Sequence, residues 1–169
     1  MPDLATIFQT GCLIALAGLL IAAAWQDLRT LHIDNALSAA IAALFGVWSV
    51  IGMMVDTYTF LAFGLSVACA ASLFVLGAAA FAAGMLGGGD VKLLAAVGLF
   101  AGPALIVDLL LVTALSGGLL GVAVLAGAPV GGMSSPGEAS LRGRLRGRLP
   151  YGPAIAAGGL WVATRLAVA

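Results

Sequence analysis

Apolar residues along this chain neither alternate nor gather on one helical stripe. They come in long runs, at about 4–26, 36–54, 59–83, 91–101, 104–126 and 151–168, with short polar stretches between them. A helix that crosses a bilayer needs ~20 apolar residues, and a helix satisfies its own backbone hydrogen bonds in lipid. The pattern therefore predicts an all-α integral membrane protein with about six transmembrane helices. The run at 91–101 stops near Gly102-Pro103 and is too short to cross alone unless residues 85–89 add backbone at membrane depth. Such backbone is tolerated only where protein buries it or where it lines a wet cavity.

Composition sharpens this picture. Of 169 residues, 63% are hydrophobic and only 8% charged, against about 25% in a soluble domain. Too few charges remain to cover a water-facing surface, so membrane lipid is the expected surrounding and no nucleic-acid partner is expected. The chain reads as a single polytopic domain over residues 1–169. Its first run has Asp3 but no Lys or Arg before it, which favours a retained span over a cleaved signal peptide. Cys12 and Cys69 lie in separate apolar runs without a CxxC pair, so they read as packing residues and not as zinc ligands.

Charge placement matters more than the net charge of zero. Threading six spans puts Arg29, Lys92, Arg142, Arg144, Arg146 and Arg148 on one side and only Arg165 near the other. Cytoplasmic loops carry the Lys and Arg excess, so that side is expected to be the cytoplasm, with both termini outside. The segment "GAPVGGMSSPGEASLRGRLRGRLP", residues 127–150, then reads as a flexible basic cytoplasmic loop that enforces topology or touches anionic headgroups. Gly117 and Gly121 have the four-residue spacing that lets helices approach closely.

Acidic residues close to membrane runs are candidates for chemistry, and here they are Asp27, Asp34, Asp90 and Asp108. Asp27 closes the first run in "AAAWQDLRTLHIDN", and Asp90 opens the fourth in "GGGDVKLL". The predicted topology puts both at the cytoplasmic rim. Two carboxylates in one confined site resist ionising together and hold a single proton near neutrality. One can then take a proton from water while the other donates to a carbonyl oxygen and later to a leaving amine, as peptide hydrolysis requires. Gly87, Gly88 and Gly89 would permit unusual dihedrals and a close backbone approach, so that an extended substrate could lie against them. Each residue also has a plain structural reading. Asp90 fits a helix cap, Lys92 a snorkelling cation and Asp27 a polar terminator paired with Arg29.

These segments resemble a known family. "GGGDVKLLAA" looks like the GxGDxK motif of the type IV prepilin peptidases, which belong with the GxGD intramembrane aspartic proteases. "QDLRTLHIDN" resembles that family's first aspartate segment, and "LPYGPAIAAGG" its C-terminal Pro-Tyr-Gly segment. The resemblance implies that Asp27 and Asp90 are the catalytic pair, with Gly87 and Gly89 at the motif's glycine positions; beside them, Gly88 and Lys92 are read as candidate substrate-binding and supporting residues. It implies removal of the short basic leader from prepilin or pseudopilin precursors at the cytoplasmic face of the bacterial inner membrane, just before the apolar pilin helix, with no metal or organic cofactor. The larger members of the family also N-methylate the new pilin terminus and carry a cysteine-paired domain between their first two spans. This chain has neither the cysteines nor the room, and its size resembles the short form of tight-adherence, Flp-type pilus systems. Asp34 stands where the family usually has Pro.

Around this pair, His32 and Arg29 are expected at the cytoplasmic mouth, and Tyr151, Gly152 and Pro153 as structural support near the site. Lys92 either acts on Asp90 or on a substrate carbonyl, or simply snorkels. Asp108 is expected to pack or snorkel far from the chemistry. An alternative reading is a small proton-coupled transporter with Asp27 and Asp90 as a relay, which would put acids nearer the bilayer centre with a polar path to the outside. A silent assembly scaffold would tolerate Asp27→Asn and Asp90→Asn.

Overall fold

The computed structural model describes residues 4–126 and 150–168. All regular structure among them is helical: α1 (Leu4–Thr30), α2 (Asn35–Met54), α3 (Phe60–Ala82), α4 (Gly88–Leu125) and α5 (Gly152–Val168). The first four are long and apolar enough to cross a membrane, and α5 is a shorter apolar helix. Residues 127–149, which hold nearly all of the expected basic loop, lie outside the described residues, as does Asp3.

The fourth and fifth apolar runs join in α4, but its backbone breaks at Gly102, where φ is 51° and ψ is −167°. That left-handed φ suits glycine, and Pro103 can start the next helical stretch because it needs no N–H donor there. The two arms run in opposite directions against α5. A methyl group placed on Gly159 would lie 3.1 Å from Val97 of the first arm. Gly158 meets the backbone of Leu109 and Gly117 meets Ala154, so the second arm descends as α5 rises. Gly102-Pro103 is therefore a hairpin, and the boundary read from the sequence falls on it.

The first arm is the centre of the bundle. Val91, Leu93, Ala96, Val97, Phe100 and Ala101 are all buried, against Leu16 and Leu20 of α1, Ile41 and Phe45 of α2, Leu73 of α3, and Ile155 and Val162 of α5. The arm is only about 20 Å long, short of the ~30 Å hydrocarbon thickness, and its neighbours cover all but the face between α2 and α3. The outer faces are apolar instead: Ile14, Ile21, Phe74, Val75, Leu111 and Leu115 are exposed. Without charges to wet them, these faces suit hydrocarbon.

Candidate active site

Four chain segments converge at one end of the bundle. Helix α1 runs past the apolar limit at residue 26 to Thr30, so Asp27 lies inside its last turn and not beyond its end. There it is buried, 4% exposed. The helix stops where Leu31 turns left-handed, with φ 51°, and its N–H closes on the Asp27 carbonyl at 2.8 Å. Thr30 Oγ1 donates to the carbonyls of Gln26 and His32, and the Asp34 N–H donates to Gln26 Oε1 at 3.1 Å. These bonds tie the 31–34 connection down against the helix that carries Asp27.

Helix α3 ends in a glycine cap. Gly84 has φ 73°, its N–H donates to Phe81 O, and the Met85 N–H donates to Ala80 O, both at 2.9 Å, the bond pair of a Schellman motif. The chain then turns into α4, whose first turn is Gly88, Gly89 and Asp90. The expectation of unusual dihedrals in the glycine triplet is corrected here. Gly87 is ordinary extended backbone (φ −77°, ψ 146°), Gly88 and Gly89 are helical, and among the described residues the positive-φ glycines are Gly84 and Gly102.

Close approach is what the triplet supplies. A methyl group on Gly87 would sit 2.7 Å from Asp90 Oδ2, and one on Gly89 would sit 3.1 Å from Ile33 Cβ and 3.2 Å from its carbonyl oxygen. One on Gly88 would meet only Phe81, at 3.6 Å, an ordinary contact. Two of the three glycines thus give close approach, one beside the Asp90 carboxylate and one where the helix start meets the 31–34 loop.

Asp90 does part of the work of a cap. Its Oδ2 accepts from the Gly87 N–H at 3.2 Å, a favourable place for a carboxylate at a helix N-terminus. Its Oδ1 is buried and has no hydrogen-bond partner. A cap alone would not leave a buried carboxylate oxygen open, because unsatisfied buried polar atoms are costly. Asp27 is held from the opposite side, its Oδ2 accepting from the Gly152 N–H at 2.7 Å. That bond needs glycine, since a methyl group on residue 152 would lie 2.6 Å from Asp27 Cβ. The sequence predicts Gly152 near the site, but its residue pattern does not point to this bond. Its only signal was an apolar helix opening on Tyr-Gly-Pro.

Asp27 and Asp90 both line two adjoining cavities of about 260 and 310 Å³, which also share Leu31, Phe81 and Gly87. The first cavity extends to Met85 and Tyr151, the second to His32, Asn35 and Lys92. Lys92 donates from Nζ to Asn35 Oδ1 at 2.8 Å, and among the described residues it forms no ion pair with Asp90. Asn35, for which the sequence pattern alone predicts no role, thereby fixes the cation at the mouth of the second cavity.

The other acids fall elsewhere. Asp34 is the N-cap of α2, its Oδ1 accepting from the Ala36 N–H at 3.1 Å, and it lines neither cavity. A capping Asp thus opens the helix at the position where the resembled family has Pro. The pairing of Asp27 with Arg29 does not occur: the Arg29 guanidinium stacks 4.4 Å above the Trp25 ring. Asp108 accepts from Trp161 Nε1 at 3.3 Å, remote from the pair. Among the described residues no three His, Cys, Asp or Glu side chains group to hold a metal ion.

Two carboxylates at the end of an apolar bundle, one with an unpartnered oxygen, thus line the same two cavities, an arrangement whose chemistry suits general acid–base catalysis. In comparison with known proteins, a family model described as the type IV leader peptidase family matches residues 14–122. No curated protein and no solved structure matches the chain.

Proposed function

The chain belongs to the type IV leader peptidase family, and on that premise we propose that it removes the basic leader from Flp-type prepilins with Asp27 and Asp90 as its catalytic pair. The observation that carries the assignment is the shared cavity lined by both carboxylates, with Asp90 Oδ1 buried and open.

In this mechanism the scissile carbonyl lies between the two aspartates. The ionised carboxylate takes a proton from water as its oxygen attacks the carbonyl carbon, and the protonated one donates to the carbonyl oxygen. The C–N bond of the tetrahedral adduct then breaks, with a proton passing to the leaving amine, and the pair returns to its starting protonation. The Gly87 and Gly152 N–H groups hold Oδ2 of Asp90 and of Asp27 respectively. Lys92, anchored on Asn35, is suited to hold a substrate carbonyl at the rim.

The reading includes six crossings in the bacterial inner membrane, both termini outside, and the site on the cytoplasmic face. It is supported by Arg29 and Lys92 at the site end of the bundle and Arg165 at the other. N-methylation is not part of the activity, because the 31–34 connection has no room for an inserted domain. A proton relay across the membrane is disfavoured. Leu16, Leu20, Leu93, Val97, Ile155 and Val162, all buried, fill the bundle interior beyond the pair.

The test is processing of a co-expressed Flp-type prepilin in membranes by the parent protein, Asp27→Asn, Asp90→Asn and Asp34→Asn, with equal amounts of each present. Processing should fall by about 10²-fold or more in the first two variants and persist in the third, which loses only a cap. Parent-like processing by Asp27→Asn or Asp90→Asn would remove the pair from the mechanism.

A further inference from the structure

Helices α2 and α3 are consecutive and joined by a short turn, yet they pack together only at the end away from the carboxylates. There Phe45 stacks on Phe63 with ring centroids 5.8 Å apart, and Phe45 meets Phe100 at 5.3 Å. Toward the site the two helices part, and the first arm of α4 forms the floor of a groove of about 690 Å³. Alanines line all three sides: Ala39 and Ala42, Ala70 and Ala71, Ala95 and Ala96.

The groove is continuous with the site. Asn35 and Lys92 line both it and the second catalytic cavity. From Asn35 to Ala42 it runs about 10 Å, or two helical turns, before the aromatic cluster closes it. Two turns of a helix 10–12 Å across occupy on the order of 1,000 Å³, so a groove of this volume takes one face of such a segment and leaves the other toward lipid. Small side chains on the walls allow a helix to approach closely.

One polar group on this surface has no partner. Ser38 is 7% exposed, lines the groove one turn beyond Asn35, and its Oγ is buried without a hydrogen bond. In a groove facing lipid, water is not on hand to satisfy it. The start of an incoming helix would do so, since the first N–H groups of any helix lack intrahelical acceptors.

We propose that this groove seats the first two turns of the substrate's apolar helix, the part that follows the cleaved bond. The proposal rests on the prepilin peptidase reading above. The bond to be cut then lies at the carboxylates while the helix begins at Ser38, with Lys92 and Asn35 flanking the extended stretch between them. The groove measures the distance from helix start to scissile bond and so selects which bond is cut.

The test fills the groove. Ala39→Leu and Ala71→Leu lie on exposed wall positions, so folding should tolerate both. Each variant is reconstituted in vesicles and given a full-length Flp-type prepilin or a peptide that ends just after the scissile bond. Overpacking should raise KM for the full-length substrate about tenfold and leave cleavage of the short peptide unchanged. Equal losses on both substrates, or no loss on either, would overturn the groove assignment.

A benzophenone photo-crosslinker at position 71 of the Asp27→Asn, Asp90→Asn double variant gives an independent readout. Capture of the prepilin's apolar helix supports the proposal; capture only of lipid, or only of a second copy of this chain, rejects it. If the parent protein cuts neither substrate, the peptidase reading on pilins fails, and crosslinking alone decides whether the groove binds such a helix.

Discussion

At the end of the bundle away from the carboxylates, polar side chains are matched with one another. Tyr58 Oη and Ser66 Oγ lie 2.8 Å apart, Thr57 Oγ1 donates to Gly52 O at 3.2 Å, and Trp161 donates to Asp108. At the site end, Asp90 Oδ1 and Ser38 Oγ are buried with no partner, the first beside a catalytic cavity and the second beside the α2–α3 groove; Thr113 Oγ1, facing Gly158, is the third such atom among the described residues. Both ends use glycine and short polar side chains. The difference is that one end is complete in the free protein, whereas the other keeps acceptors open beside cavities. A buried acid with an unpartnered oxygen is therefore a better guide to chemistry than an acid alone, which both ends have.

The largest effect at the site end is expected at Gly152. In Gly152→Ala the new methyl meets Asp27 Cβ, an atom fixed by its own helix, so the carboxylate must shift. Misplacement of this size is expected to lower prepilin cleavage about 10²-fold, with helix content by circular dichroism unchanged. The glycine triplet gives a finer version of the same trial. Gly89→Ala presses on the Ile33 backbone and should reduce cleavage about tenfold, whereas Gly88→Ala has room and should cleave like the parent. A loss in Gly88→Ala equal to that in Gly89→Ala would show that the triplet acts through flexibility and not through close approach.

At the opposite end, substitution should affect stability and not turnover. Gly102→Ala places a side chain at φ 51°, 2.7 Å from Ser66 Oγ. It should cost about 1–2 kcal/mol from the left-handed backbone, seen as a lower unfolding midpoint in detergent with kcat retained. The smallest effect is expected from Asp108→Asn, which keeps an acceptor for Trp161. Its cleavage rate should match the parent's, and a large loss would mean the two ends are coupled.

Much of this was legible in the chain. Apolar runs delimit the helices to within a few residues, because hydrocarbon demands long uninterrupted stretches whatever they pack against. Gly102-Pro103 marks the hairpin, since those two residues suit a backbone break. Asp27 and Asp90 stand out because a carboxylate is costly near lipid, and the glycines before Asp90 announce a close approach.

Tertiary structure alone decided what those residues touch. Sequence order cannot say that the Gly152 N–H reaches Asp27 across 125 positions, that Lys92 turns to Asn35 and not to Asp90, or that Asp34 caps a helix while Asp90 keeps an oxygen open. Nor does the 3.6-residue period reveal that α2 and α3 part beside the site, for their alanines read equally well as packed or exposed. Membrane insertion depends on the summed hydrophobicity of one segment, which its own residues carry. Hydrogen-bond partners and grooves depend on distances between segments, which exist only once the helices have packed.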